Sequence, residues 1–262
     1  EKHLSSKLKN IFRIFVSNLK IKKEIMGRIF EKRKHTMFAR FARMSKAFNR
    51  IAREIVIAIR VGGGGDPKSN PRLRIAIQNG RSLNMPKDRI EAAIKRATDK
   101  DTSAYHEIVY EGYAPHGVAV IVECATDNPT RTVSNIRHIF VRGGGSLATS
   151  GAVEFMFERV GVFSVNASDV NNFDEFELEA IDFGAEEIEK LNDQIIIYTS
   201  FQNFGAMQKF LEDKNINVKN AELQRIATTS VEVSEEAQKE VNELLEKLEE
   251  DDDVQGVFNT MK

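Results

Sequence analysis

The segment closest to a nucleotide-binding motif is a run of four glycines that leads into a lysine and a serine, Gly62 to Ser69. A phosphate-binding loop of this kind needs a second glycine just before the Lys-Ser pair, and it follows a strand. Here Pro67 stands at that position, and proline has no backbone N–H to offer a phosphate. The preceding residues also have a helical pattern. The segment therefore predicts a flexible loop between two helices, not nucleotide hydrolysis.

The other residue types that could perform chemistry occur in isolation. Cys124 has no second cysteine to pair with, and its apolar neighbours VAVIVECAT predict a buried strand and an inert thiol. Asp127, Asn128 and Arg131 resemble an acid–base cluster, but capping of a helix explains them more simply. No metal-ligand spacing links the histidines, which are His3, His35, His106, His116 and His138. We therefore predict no catalytic residue, no metal site, no cofactor and no small-molecule substrate.

Charge is distributed very unevenly along the chain. The formal net charge is −1, but residues 1–100 hold 26 Lys and Arg against 8 Asp and Glu. Residues 101–262 hold 12 basic against 31 acidic residues. Such an asymmetry indicates a half that faces nucleic acid, joined to an acidic half.

The pattern of residues 37–60 predicts a long amphipathic helix at the centre of the basic half. At about 100° per residue, one face carries an apolar stripe and the opposite face a basic one. We expect the apolar stripe to dock on other helices and the basic stripe to face solvent or a polyanion. The apolar residues are Phe41, Met44, Phe48, Ile51, Ile55 and Ile59, and the basic residues are Arg43, Lys46, Arg50, Arg53 and Arg60.

A basic arm at residues 26–36 precedes this helix, and further arginines follow it. Contacts to phosphates position a protein without reading sequence, and the long glycine-rich loop at residues 61–70 does not suit a helix-turn-helix. A-form RNA fits such a surface at least as well as duplex DNA. The predicted nucleic-acid-binding residues are Lys32, Arg33, Lys34, Arg43, Lys46, Arg50, Arg53, Arg60, Arg72 and Arg74.

The remaining pattern predicts an α+β protein, with an N-terminal helical domain followed by two small α/β, ferredoxin-like domains. Asn70 with Pro71, and Asn84 with Pro86, are expected to start the second and third helices. Residues 152–165 are expected to form two strand-like runs with a break near Glu158–Gly161. A C-terminal helix and strand are expected to close the middle sheet. The predicted boundaries are residues 1–25 for an extension, 26–98 for the helical domain, 104–146 plus 229–262 for the middle domain and 147–228 for the inserted domain.

The first 25 residues allow three interpretations. They lack an initiating Met and carry seven basic against two acidic residues. They are a transit-type presequence, a native extension, or translated sequence upstream of a start at Met26, and we favour the last. No apolar run approaches the roughly 20 residues of a membrane span. We expect a cytoplasmic location, or an organellar one if residues 1–25 are a presequence.

Several strings identify a family likeness that runs from Met26 to the C-terminus. The chain resembles the YebC family, which includes probable transcriptional regulators of bacteria and mitochondrial translational activators of cytochrome oxidase. The likeness rests on MSKAFNRIAREI, GGGGDPKSNPRLRIAI, NMPKDRIEAAIKRAT, YEGYAPHGVAVIVECATDN, RTVSNIRHIF, GGSLATSGAVEFMFER and LEAIDFGAEEIE. It implies one helical and two α/β domains, the middle one closed by the C-terminal segment, and no enzymatic activity.

One departure from the family limits what the likeness implies. Many members begin with a Trp-containing HSKWxNIKxRK segment, whereas this chain has GRIFEKRKHTMFARFARMSKAF. Three hypotheses follow for the chain as a whole. It acts on translation by binding ribosomal RNA or mRNA at the ribosome, it is a DNA-binding transcriptional regulator, or it is an interaction module for an acidic protein.

Overall fold

The computed structural model describes residues 44–62, 64–98, 105–191 and 193–262. The chain divides after Ala47, and Phe48–Lys262 form one compact unit. Helices are followed by two four-stranded antiparallel sheets, which confirms the predicted α+β class. The predicted basic arm and the residues before it lie outside the described residues. The domain boundaries stay predictions.

Seven α-helices and eight β-strands lie within the described residues. In chain order they are α1 (described over residues 44–61), α2 (Pro71–Ser82), α3 (Lys87–Thr98), β1 (His106–Tyr113), β2 (Ala119–Thr126), α4 (Pro129–Arg142), β3 (Ser146–Leu147), β4 (Phe157–Asn166), α5 (Phe173–Asp182), β5 (Ala185–Leu191), β6 (Gln194–Ser200), α6 (Phe204–Asp213), β7 (Val218–Ala227), α7 (Glu235–Glu250) and β8 (Val254–Asn259).

Helix α1 is more deeply buried than its amphipathic pattern predicts. The predicted apolar residues Phe48, Ile51, Ile55 and Ile59 are buried. Residues 56–58 are buried as well, so that the second half of the helix is enclosed on nearly all sides. A helix in this position is held by neighbours on several faces and has little surface left for a ligand.

The start of α2 follows the prediction, but the turn after it does not. Asn70 caps α2 because its side chain accepts a hydrogen bond from the N–H of Leu73, and Pro71 follows at the first position. Asn84 has φ +59°, and the N–H of Met85 returns to the carbonyl of Gly80 at 2.8 Å. Asn84 therefore terminates α2 in a Schellman-type turn instead of capping α3.

The first sheet has the strand order β3-β1-β2-β8, with the β1–β2 hairpin at its centre. Helices α4 and α7 pack on it around Phe140, Leu244 and Leu248, which are fully buried. Strand β8 pairs antiparallel with β2, from Val120 opposite Asn259 to Cys124 opposite Val254. The C-terminal segment thus closes the middle sheet, as predicted.

The second sheet has the order β5-β6-β4-β7, which is that of a ferredoxin-like fold. The predicted break near Glu158–Gly161 is wrong, because β4 runs unbroken through it. Gly161 instead allows the ring of Phe204 to approach the strand closely, because a Cβ at this position would lie 2.4 Å from that ring. Strand β5 was not predicted at all.

Two charged side chains join the sheets to each other. The buried guanidinium of Arg225 on β7 donates to the carboxylate of Glu123 on β2 at 2.7 Å. The carboxylate of Glu111 on β1 accepts three backbone N–H groups from residues 151–154, at 2.6 to 2.9 Å. Glu111 therefore fixes the segment that leads from the first sheet into the second, and Arg225 ties β7 of the second sheet to β2 of the first.

Helix α2 covers the open edge of the second sheet. Strand β7 is an edge strand, and the side-chain amide of Asn79 donates to the carbonyl of Ala221 at 2.8 Å and accepts from its N–H at 3.1 Å. Gln78 donates to the carbonyl of Val218 at 2.8 Å. These contacts satisfy backbone groups that an unprotected edge would expose to another chain.

We expect Asn79→Ala to lower the free energy of unfolding by roughly 2–4 kcal/mol, because it leaves one buried donor and one buried acceptor unpaired. Urea denaturation followed by circular dichroism measures this change. Ser82→Ala, on an exposed position of the same helix, is the matched control and should change little. Equal stability of the two variants would contradict the role given to Asn79.

Candidate nucleic-acid interface

The structure divides the predicted binding residues into three groups. Lys32, Arg33, Lys34 and Arg43 lie outside the described residues. Arg60 is exposed. The other five are only partly exposed, and they are Lys46, Arg50, Arg53, Arg72 and Arg74.

Arg50 and Arg53 of α1 contact the end of α7 and the turn that follows it. The guanidinium of Arg50 donates to the carbonyl of Glu249 at 3.0 Å. Arg53 donates to the carbonyls of Asp252 and Ala125, and its Nη1 lies 3.2 Å from the carboxylate of Asp253. Carbonyls at a helix C-terminus lack intrahelical partners and attract cations, which explains why the arginines lie there.

The expectation that the basic stripe of α1 faces solvent is wrong for Arg53, whose side chain is 18% exposed. A second arginine shares the Asp253 carboxylate, since Arg131 at the start of α4 donates to its other oxygen at 2.8 Å.

Burial alone would raise the pKa of Asp253. Hydrogen bonds from Arg131 and Thr132, and the charges of Arg131 and Arg53, outweigh burial and lower that pKa below its ordinary value.

Arg72 and Arg74 of α2 also pair with the acidic half of the chain. Arg72 makes a two-pronged contact with the carboxylate of Glu107 on β1. The Nε of Arg74 lies 2.8 Å from the carboxylate of Glu212 on α6. These ion pairs give both arginines a role in docking the helices. Whether either also contacts nucleic acid stays a prediction.

The glycine-rich segment forms a hydrogen-bonded corner between α1 and α2. The buried side chain of Asn70 donates to the carbonyls of Ala58 at 2.7 Å and Gly64 at 2.9 Å. The N–H groups of residues 68–70 all donate to Asp66. A phosphate cradle needs those N–H groups free, so this geometry argues against the nucleotide-loop interpretation, as the sequence did.

The exposed cations of the helical part lie mainly on the α2–α3 hairpin. We call this set the α2–α3 basic surface, and it consists of Arg81, Lys87, Arg89, Lys95 and Arg96. Lys87 pairs with Glu91 at 3.4 Å, and Arg89 lies over the ring of Phe48. Within the part of the chain that the structure describes, the side chains of Arg81 and Lys95 have no ion pair.

Sequence reasoning missed most of this surface because it concentrated on α1. The signal was available in the third helix, where Ile90, Ala93 and Ala97 mark the buried face. Arg89 and Arg96 flank that face, and they are seven positions apart and hence on one stripe.

The candidates for other chemistry have structural roles. Asn128 caps α4 by accepting from the N–H of Arg131, as predicted, and Asp127 pairs with the Arg131 side chain at 2.9 Å. Cys124 is a buried free thiol, as predicted. Burial is the main cause that raises its pKa to about 12, and the negative charges of Asp251 and Asp253 add to the effect. A thiol with such a pKa is not a nucleophile at neutral pH.

Comparisons with known proteins identify the family. The model described as "TACO1/YebC protein N-terminal domain" matches residues 28–100, and that described as "TACO1/YebC second and third domain" matches residues 105–261. The chain belongs to the TACO1/YebC family. The predicted likeness is thereby confirmed.

Curated relatives of this TACO1/YebC chain carry regulatory names. A probable transcriptional regulatory protein of Cytophaga hutchinsonii is 54% identical over 236 residues, which cover 90% of this chain and 98% of that protein. One of Anaeromyxobacter dehalogenans is 50% identical over 241 residues, covering 90% and 100%. These names describe regulators and indicate no catalytic activity.

A solved structure supports the fold of this TACO1/YebC chain. A conserved hypothetical protein of Aquifex aeolicus matches with a TM-score of 0.73 and 39% identity, over 83% of this chain and 90% of that one. Among the described residues, we find no helix with the length and apolar character needed to cross a membrane.

We expect Asp253→Asn to lower the free energy of unfolding by roughly 3 kcal/mol at neutral pH, because it leaves Arg53 without its buried partner. Since the folded-state pKa of Asp253 is lowered, its contribution is complete above the unfolded value of about 3.9 and is lost as the pH falls through the folded-state value. Urea denaturation at a series of pH values should therefore show the two proteins converging in acid.

Asp127→Asn is the control for this experiment, since it removes a carboxylate from the same arginine at an exposed site. Exposed ion pairs contribute little, so this variant should resemble the unmodified protein at every pH. A similar loss in both variants would show that Arg131, not the buried pair with Arg53, explains the effect.

Proposed function

We propose that this chain is a non-enzymatic regulator of gene expression that binds nucleic acid, and that it acts on translation by binding ribosomal RNA or mRNA at the ribosome. The observation that supports it most is the α2–α3 basic surface, an exposed set of cations in which Arg81 and Lys95 form no ion pair within the described residues. Location in the cytoplasm is part of this proposal.

The burial of α1 and α2 favours contact with a sugar–phosphate backbone over reading of bases. Helix α2 uses Gln78 and Asn79 against β7, so these side chains are occupied and cannot enter a groove. Cations without adjacent base-reading groups bind by charge and shape, which suits structured RNA. Ribosomal RNA is the most abundant such target in a cell that translates.

DNA binding is the second candidate, and two observations favour it. The relatives are named probable transcriptional regulatory proteins. In addition, only residues 83–86 separate α2 from α3, a spacing found in helix-turn-helix motifs, and α3 exposes Arg89, Lys95 and Arg96. In that case α3 would be the helix that enters the major groove.

Co-sedimentation with ribosomes in cell lysate tests the translation proposal. We expect the protein to migrate with ribosomes at low salt and to leave them as salt is raised, because phosphate contacts weaken with salt. The Arg81→Gln/Lys95→Gln variant should dissociate at lower salt than the unmodified protein. Protein that stays at the top of the gradient at low salt would contradict the proposal.

A matched variant separates a local contact from a general effect of charge. Lys209→Gln/Lys239→Gln removes the same charge from exposed positions on α6 and α7, and it should co-sediment as the unmodified protein does. Gel shifts with promoter and random duplexes test the second candidate. A clear preference for promoter DNA together with no ribosome association would favour DNA regulation.

A further inference from the structure

Helix α4 differs from every other long helix of the acidic half. Its sequence, PTRTVSNIRHIFVR, contains three arginines and one histidine and has no Asp or Glu. By contrast, α7 packs beside it with a sequence rich in glutamate, EEAQKEVNELLEKLEE. A cationic helix in a strongly acidic part of the chain is not explained by the composition around it.

The basic residues of α4 lie on its exposed side. Thr132, Ile136 and Phe140 form the buried face, which contacts the core of the first sheet. Arg131, His138 and Arg142 recur at helical spacing on the opposite side, and the exposed Arg137 lies about 100° round the helix from His138. We call Arg137, His138 and Arg142 the α4 basic stripe.

The stripe is not paired with the protein's own acidic groups. Within the described residues, the side chains of Arg137 and Arg142 form no ion pair, although Arg131 pairs with Asp127 and Asp253. Val141, between them, is 64% exposed and gives the stripe an apolar component. Unpaired arginines beside an exposed aliphatic side chain suit a ligand with phosphates and flat or aliphatic surfaces, such as a nucleotide chain.

The N-terminal end of α4, which precedes the stripe, lies where α1 meets the first sheet. Asp253 receives Arg53 of α1 at 3.2 Å and Arg131 of α4 at 2.8 Å on its two oxygens. From Arg137 to Arg142 the helix advances about 7.5 Å, which corresponds to about two nucleotides at roughly 3.4 Å per residue of one strand. The stripe lies about 9 Å further along α4 than Arg131.

One acidic neighbour lies near the exposed side of α4. The side of α7 that meets α4 is apolar, with Leu244 next to Gly143. Asn135 of α4, however, donates to the carboxylate of Asp251 at 3.4 Å. Repulsion between this carboxylate and a bound phosphate is screened by salt, with a Debye length of about 8 Å at physiological ionic strength.

We propose that the α4 basic stripe is a second contact site for the sugar–phosphate backbone of RNA, so that bound RNA extends from the helical part onto the first sheet. This inference rests on the function proposed above and specifies where the RNA runs. The arginines bind phosphates, and Val141 packs against a ribose or a base.

Fluorescence anisotropy with a labelled single-stranded RNA of mixed sequence tests the site, between about 50 and 200 mM salt. We expect Arg137→Gln/Arg142→Gln to reduce the slope of log K against log salt by about 1.4, since each phosphate contact contributes about 0.7 for a single strand. If both proteins bind equally at 1 M salt, this change in slope makes the affinity of the variant roughly 25-fold weaker at 0.1 M salt. Thermal unfolding should be unchanged, because both side chains are exposed.

The control is Lys239→Gln/Lys247→Gln, which removes two exposed charges from α7 in the same part of the molecule. This variant should keep the unmodified slope. Equal losses in both variants, or an unchanged slope in the α4 variant, would overturn the proposal.

The α2–α3 variant Arg81→Gln/Lys95→Gln distinguishes failure of this inference from failure of the proposed function. If that variant loses affinity while the α4 variant does not, RNA binding stands and only the second site is wrong. If the unmodified protein does not bind this RNA, the second site is wrong, and if it also fails to co-sediment with ribosomes, the proposed function fails as well.

Discussion

The buried carboxylate of Asp253 joins α1 of the helical part to α4 on the first sheet. It lies between Arg53 of α1 and Arg131 of α4, and hydroxyl groups complete its hydrogen bonds. An ionised group removed from water is tolerated only when it is paired in this way. The pairing fixes where α1 can lie, and it explains why Arg53 cannot be a free cation.

The basic residues of this protein therefore perform two different tasks. Arginines of α1 and α2 pair with a carbonyl of α7 and with carboxylates of β1 and α6, and they dock the helical part against the two sheet domains. Exposed cations on α2, α3 and α4 form a second set, of which Arg81, Lys95, Arg137 and Arg142 have no ion pair within the described residues. The charge asymmetry of the sequence describes both sets together, although only exposed cations can meet a polyanion.

Sequence patterns predicted most elements, and the errors have local causes. Strand β5, AEEIEKL, carries three glutamates on a sheet edge, so its formation depends on pairing with β6 more than on its own propensity. Gly161 suggests a break in the strand when only the sequence is considered. In the structure it is needed because the ring of Phe204 lies against the strand at this position. Asparagine can cap the start of one helix or end the helix before it. The positive φ of Asn84 shows that it ends α2.

The sequence by itself determined the fold class, the family, the inert Cys124 and the existence of a basic N-terminal half, because periodicity, composition and short strings are properties of neighbouring residues. Only the tertiary structure decided which cations are free. Arg53 meets Asp253 across 200 residues of chain, and Arg74 meets Glu212 across 138. Such pairs form when distant segments are brought together, so no helical wheel distinguishes a docking arginine from a binding one.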